Sequence, residues 1–297
     1  MIKTGQTPLI FRARLEAAPI GSLLNFVILP ASPNPAGAMT HSSAIHHRSS
    51  SHPHSGQQGR IHSIETSSTV DGPGIRYVIF TQGCLLRCLY CHNPDTRDRH
   101  GGQEITVDKL IDDIKTYQSY FTYSAGGVTV TGGEPLLQPE FVREIFRRCH
   151  DLGIHTALDT SGFPDFAAAK PVLDYTDLVL LDIKSFDPET YHRVTHVAIE
   201  PTLHFARYLS EIQKPSWIRF VLVPGLTDDP ANVAGVAQFA ASLNAVEKVD
   251  VLPFHQMGEF KWQELGLPYQ LENTSPPIPE QVEATKAIFR DHGLKVE

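Results

Sequence analysis

The sequence predicts an α/β protein in which six β/α units build a parallel sheet wrapped by helices, and three observations carry the prediction. From residue 59 onward, short β-rich apolar runs alternate with stretches whose apolar residues recur every three or four positions. One run, Leu178 to Asp182, is continuously apolar until its last residue, as in strands covered on both faces of a parallel sheet. Each run also ends in a glycine or polar feature, where β/α proteins collect their chemistry. A closed or partial β/α barrel satisfies this count, and so does a doubly wound sheet.

In chain order, Arg76 to Thr81 is the first strand, entered from the turn Asp71-Gly72-Pro73-Gly74. Val107, Leu110, Ile111, Ile114 and Tyr117 mark one helix face, and Val128 to Thr131 is the next strand. Phe141, Val142, Ile145, Phe146 and Cys149 form a second helical stripe, which makes Cys149 a core residue. His155 to Asp159 is a strand, Ala167 to Leu173 a short helix, and Leu178 to Asp182 the fourth strand. Asp187-Pro188-Glu189 opens a helical region, because proline is tolerated in the first turn. Phe205, Leu209 and Ile212 share a helix face before the strand Trp217 to Val223. Val236, Phe239, Ala240 and Leu243 mark another helix, Val249 to Phe254 the sixth strand, and Val282, Thr285, Ile288 and Phe289 the last helix.

Residues 1–58 stand apart as an extension to the domain 59–297. Pro30 to Gly59 is rich in Pro, Ser, Gly and His without aliphatic periodicity, a disordered composition, and His46, His47, His52 and His54 read as part of that tail. The shortage of acidic residues there fits a transit peptide, and a start codon placed too early, with Met39 or a later position as the true beginning, fits equally well. A formal net charge of −8 argues against a nucleic-acid or anionic-membrane surface. No stretch approaches the roughly 20 apolar residues that span a bilayer. Four cysteines in 297 residues are not a secreted disulfide framework, which favours a reducing compartment.

Three of those cysteines, Cys84, Cys88 and Cys91, fall within eight residues, followed by His92 and Asn93. Three thiols cannot pair off, so the loop reads as a metal site. Structural zinc needs four ligands, with His92 nearest as the fourth. An iron–sulfur cluster normally takes four cysteines, and one held by three leaves an iron open to a substrate. The other strand ends supply Gly132-Gly133-Glu134, Asp159-Thr160, Asp182-Ile183-Lys184, Val223-Pro224-Gly225 and His255. Each has a bland alternative: a turn for the glycines, a salt bridge for Asp182 with Lys184, and a hydrogen-bonded core histidine for His255. Together they describe a polar mouth facing three thiols.

The spacing Cys84-x3-Cys88-x2-Cys91, with Tyr90 before the last cysteine and the Gly132-Gly133-Glu134-Pro135 loop, resembles the radical S-adenosylmethionine enzymes. From about Gly59 to Val296 the chain is most similar to the pyruvate formate-lyase activating family, through Gly59-Arg60-Ile61-His62-Ser63, Thr69 to Arg76, Cys88 to Asn93, His100-Gly101-Gly102, Gly153 to Thr156, Leu158-Asp159-Thr160, Val246-Glu247-Lys248 and Leu252-Pro253-Phe254-His255. The resemblance implies a partial (β/α)6 barrel and a cytoplasmic oxidoreductase, organellar if the extension is a transit peptide. Its 4Fe–4S cluster on Cys84, Cys88 and Cys91 reductively cleaves S-adenosylmethionine to a 5′-deoxyadenosyl radical, which abstracts hydrogen from a glycine of pyruvate formate-lyase.

By position the resemblance also implies roles for individual residues. Gly133 lies near the methionine amino group, and Tyr90 and His92 flank the adenine. Asp182, Ile183, Lys184 and His255 lie at the cofactor, with Lys184 and His255 among the catalytic residues. Asp159, Thr160 and Asp182 form a monovalent-cation site, and Asp71 touches the partner's peptide. The resemblance further implies a flavodoxin or ferredoxin as electron donor and a monomeric protein. Pro135-Leu136-Leu137 departs from the Ala-Ile-Leu of close bacterial relatives. Two other readings compete: an activase of a diol or glycerol dehydratase, disfavoured because Asn93 to Asp108 holds no cysteine-rich insert, and a zinc-binding interaction module.

Overall fold

The computed structural model describes residues 56–297, and the readings made for the N-terminal extension lie outside the described residues up to residue 55. The elements are β1 (Gln58–Ser68), β2 (Arg76–Thr81), β3 (Gln103–Thr106), α1 (Val107–Lys115), α2 (Gln118–Ser124), β4 (Gly127–Gly132), α3 (Pro139–Asp151), β5 (His155–Thr160), α4 (Phe166–Leu173), β6 (Leu178–Asp182), α5 (Pro188–Thr195), α6 (Glu200–Glu211), β7 (Ser216–Leu222), α7 (Pro230–Ala241), β8 (Val246–Pro253), α8 (Glu259–Glu264) and α9 (Pro279–Asp291). Their strand order is β3-β1-β2-β4-β5-β6-β7-β8, with β2 and β4 through β8 all parallel.

That order settles the choice between barrel and doubly wound sheet. The six parallel strands follow one another without reversal, so right-handed crossovers place their helices on the same face. The sheet curls into a partial barrel that β1 and β3 extend antiparallel along one edge. Strand alternation then sorts the side chains. Tyr77, Ile79, Val128, Val130, Leu158, Leu181, Ile218 and Phe220 face outward into one core with helix residues such as Leu110, Phe146, Leu209 and Val236. Inside, Ala157, Leu178 and Leu180 pack with Trp217 at the N-terminal ends of the strands. Two residues further along the same faces stand Asp159, Asp182 and Arg219. The barrel is therefore plugged by apolar groups at one end and polar at the other.

Several helix starts follow from capping. Asp187 accepts from Thr190 N–H with Pro188 in the first turn, and Asp229 does the same for Ala231 and Asn232 before Pro230. The expected elements recur with shifted ends, and two expected face positions move. Ile212 follows α6 and is 40% exposed, because the helix ends one residue earlier. Tyr117 lies between α1 and α2 rather than on α1. β1, β3, α2 and α8 were not anticipated from the sequence. No helix of the described residues is long and apolar enough to cross a membrane.

Candidate active site

A cavity of about 530 Å³ opens at the C-terminal ends of the parallel strands. Cys84, Cys88, Tyr90, Cys91 and His92 line one wall, and Gly133, Glu134, Asp159, Thr160, Asp182, Lys184 and His255 line the rest, with Asp71 at its margin. The cysteine loop follows β2 and is half-buried, whereas Cys149 is fully buried on α3 and far from any role as ligand. Burial raises all three loop thiols, Cys84 to about 12 and Cys88 to about 11, and for Cys91 the Arg97 charge works against that rise. Thiols so placed are poor thiolates in the bare protein, and a bound cation would reverse this.

Two ion pairs cross the floor. Lys184 Nζ donates to Asp182 Oδ2 at 2.9 Å, so the salt-bridge reading of this pair holds and both partners also face the cavity. Burial opposes the Lys184 charge, but Asp182 and Cys88 outweigh it and the net shift is upward. Arg219 Nη1 donates to Asp159 Oδ2 at 2.8 Å and lies 3.9 Å from Asp71. Burial lifts Asp159 to about 6 even though Arg219 pulls it down. Asp71 accepts from the Ser68 hydroxyl at 2.5 Å.

Gly133 has no room for a side chain, because a Cβ would lie 2.2 Å from the Gly83 carbonyl oxygen. Its N–H donates to Thr81, so the glycine pair also serves close packing between the β2 and β4 ends. Tyr90 is buried against Leu89, Val194, Val223 and Phe254, and its hydroxyl has no partner. The His92 and His255 rings lie 4.1 Å apart, and His92 is shifted down by partial burial and by facing His255.

The structure adds detail to three expected positions. Ile183 points away from the cavity into the outer core, because it alternates with Asp182 and Lys184 on the chain; only its N–H, donated to Arg219 O, faces the strand edge. Val223, Pro224 and Gly225 do not line the cavity, since Val223 packs beneath Tyr90. Asp159, Thr160 and Asp182 sit at neighbouring strand ends, but Arg219, Glu134 and Lys184 respectively engage them. Among the described residues no three His, Cys, Asp or Glu side chains form a group able to hold one metal ion, and Asp159 Oδ1 is buried without a partner.

Sequence reasoning missed Arg219 and the role of Glu134. Glu134 is fully buried and accepts from Thr160 Oγ1 at 2.6 Å and from Ser161 Oγ at 2.5 Å, which locks the β4 end to the β5 end. Burial raises its pKa, and these donors pull it back. A glutamate directly after Gly-Gly was the available signal. For Arg219, an arginine amid the apolar run Trp217 to Val223 was the signal.

The donor set fits an iron–sulfur cluster with an open iron. Three thiols share a cavity with no fourth thiol, and the partnerless Asp159 Oδ1, Tyr90 hydroxyl and Arg97 Nε leave polar groups for a further occupant. Comparison with known proteins decides the family. The radical SAM superfamily model matches residues 78–235. The pyruvate formate-lyase 1-activating enzyme of Escherichia coli K12 is 47% identical over 242 residues, covering 80% of this chain and 98% of its own length. The chain belongs to the radical SAM superfamily, and within it to the pyruvate formate-lyase-activating enzymes. A second relative, the pyruvate formate-lyase-activating enzyme of Staphylococcus epidermidis, is 49% identical over 76% of this chain and 92% of its own length. A crystal structure of a domain of the Bacteroides vulgatus pyruvate-formate lyase-activating enzyme superposes with a TM-score of 0.50 at 33% identity, over 58% of this chain and 98% of that one. The Streptococcus suis SuiB structure bound to S-adenosylmethionine shares the fold alone, with a TM-score of 0.57 at 14% identity over 74% of this chain and 48% of that one. A 4Fe–4S cluster and S-adenosylmethionine are the cofactors of this superfamily, so the zinc-module reading falls.

Proposed function

We propose that this chain activates pyruvate formate-lyase by generating its glycyl radical. The carrying observation is the single cavity at the strand ends that joins Cys84, Cys88 and Cys91 to the Asp182–Lys184 and Asp159–Arg219 pairs. The cluster and S-adenosylmethionine, when bound, supply the reductive bond cleavage and the hydrogen-abstracting radical. Cys84, Cys88 and Cys91 would hold the cluster as thiolates. Lys184 and Asp182 offer a cation and an anion to the zwitterionic methionine end, beside the backbone of Gly133. His92 and Tyr90 border the adenine side, and His255 closes the rim. The Tyr90 and Phe254 packing keeps that side of the cavity apolar and excludes water from reactive species. Asp71 stands at the margin, where the partner's glycine loop enters. The orphaned Asp159 Oδ1 supports a monovalent cation beside it.

We further propose a monomer, reduced by a flavodoxin or ferredoxin, working in the cytoplasm, or in an organelle if the extension is cleaved as a transit peptide. Between the cysteine loop and α1 the chain forms only a short 3-10 turn at Pro94–Thr96 and the edge strand β3, with no second cysteine-rich unit, which favours pyruvate formate-lyase over dehydratase partners. The test is to mix anaerobically reduced protein, S-adenosylmethionine and pyruvate formate-lyase and record the electron paramagnetic resonance spectrum. A glycyl radical doublet is expected. Formation of 5′-deoxyadenosine without that doublet would move the substrate to another glycyl-radical enzyme, and failure to form either would overturn the reading. Replacing Cys84, Cys88 or Cys91 by Ala should abolish bound iron, and Cys149→Ala should retain it.

A further inference from the structure

The peptide groups of all three loop cysteines bond to two residues, Arg97 and Trp262, whose side chains stack. Cys84 N–H donates to the Arg97 carbonyl at 3.4 Å, and Arg97 Nη2 donates to the Cys88 carbonyl at 2.8 Å. Trp262 Nε1 donates to the Cys91 carbonyl at 2.9 Å, and the Arg97 guanidinium lies 4.3 Å from the indole centroid. Trp262 is 5% exposed and comes from α8, more than 160 residues along the chain. The helix is pinned there independently. Lys261 Nζ donates to Asn93 Oδ1 at 2.8 Å, and Gly258 packs so closely on His92 that a Cβ would lie 2.7 Å from its Cα.

We propose that Arg97 and Trp262 are positioning residues that divide the control of the cluster between them, Trp262 setting its retention and Arg97 its reduction potential. This rests on the iron–sulfur reading of the loop. Groups behind metal ligands fix ligand orientation, and their loss typically costs about 10- to 100-fold in metal affinity. Cluster potentials respond to nearby charge and hydrogen bonding. Trp262 is neutral and its one hydrogen bond to the cysteine loop is to a backbone carbonyl, so it holds the loop geometry. Arg97 adds a permanent charge that lines the cavity, and its Nε–H is buried without a protein partner, free for an anionic occupant. A cation beside the cluster favours the more negative, reduced form.

Two measurements on the full chain with its cluster assembled separate these roles. Trp262→Phe keeps the stacking ring and deletes the donor: iron release to a chelator should accelerate about tenfold or more, with the potential unchanged. Arg97→Met keeps length and deletes charge: in redox titrations followed by electron paramagnetic resonance, the reduced-to-oxidised ratio at fixed ambient potential should fall about tenfold, which is a shift of about 59 mV for a one-electron couple. Arg97→Lys should restore most of that ratio. Parent-like iron release in Trp262→Phe, or a parent-like potential in Arg97→Met, would overturn the assignment for that residue. An Arg97→Lys potential equal to that of Arg97→Met would overturn the charge argument. A parent protein that assembles no cluster would instead sink the iron–sulfur reading itself.

Discussion

At Asp159 the fold holds a carboxyl group against its solution preference. Its ordinary value of 3.8 rises to about 6, because burial and the neighbouring Asp182 outweigh the attraction of Arg219. The folded protein therefore keeps a proton between about pH 4 and 6 that the unfolded chain has released. This contribution to stability is complete below about pH 4 and is lost as the pH rises through 6. In cluster-free protein, the melting temperature of Asp159→Asn relative to the parent should climb across that window, and parallel curves would contradict the assignment. The cysteines were legible because their chemistry is local in sequence. Arg219 was not, because its meaning depends on Asp159, 60 residues away and two strands across. The Ile183 side chain lies in the outer core because neighbours along an extended chain point to opposite faces.

Among the elements, the loop after β6 that carries Lys184 is held from α7 by a single buried amide. Asn232 Oδ1 accepts from Ser185 Oγ, Phe186 N and Asp187 N at 2.7, 2.8 and 3.0 Å, and its Nδ2 donates to Thr227 O. Asn232→Ala strands those donors and should lower unfolding free energy by about 2 kcal/mol in urea titrations; a loss under about 0.5 kcal/mol would show that water takes over the bonds. The parallel strands were readable because their outer faces are apolar, and their helices because aspartate and proline mark the starts. β1 was not readable, because its pairing with β2 slips register twice and its faces mix burial without a clean alternation. α2 is rich in Tyr, Ser and Thr and buries only Phe121, so it offers no stripe to find.

On the scale of the molecule, all the residues that line the cavity belong to the segment 70–255. A chain beginning at Gly56 should therefore keep the parent's iron content and melting temperature; loss of either would give the extension a structural part. The count of six units was legible, but the choice of a partial barrel over a doubly wound sheet needed the strand order, which no single segment encodes. That order also leaves the sheet open, with β3 at one edge and β8 at the other.

The clamp on the cysteine loop has a consequence in time. Trp262 is made 171 residues after Cys91, and at roughly 5–20 residues per second that is on the order of 10–30 s of synthesis. For that interval the nascent chain displays three thiols without the indole that fixes their backbone. The loop thus reaches its fixed geometry only once the C-terminal helices have been made and packed against it.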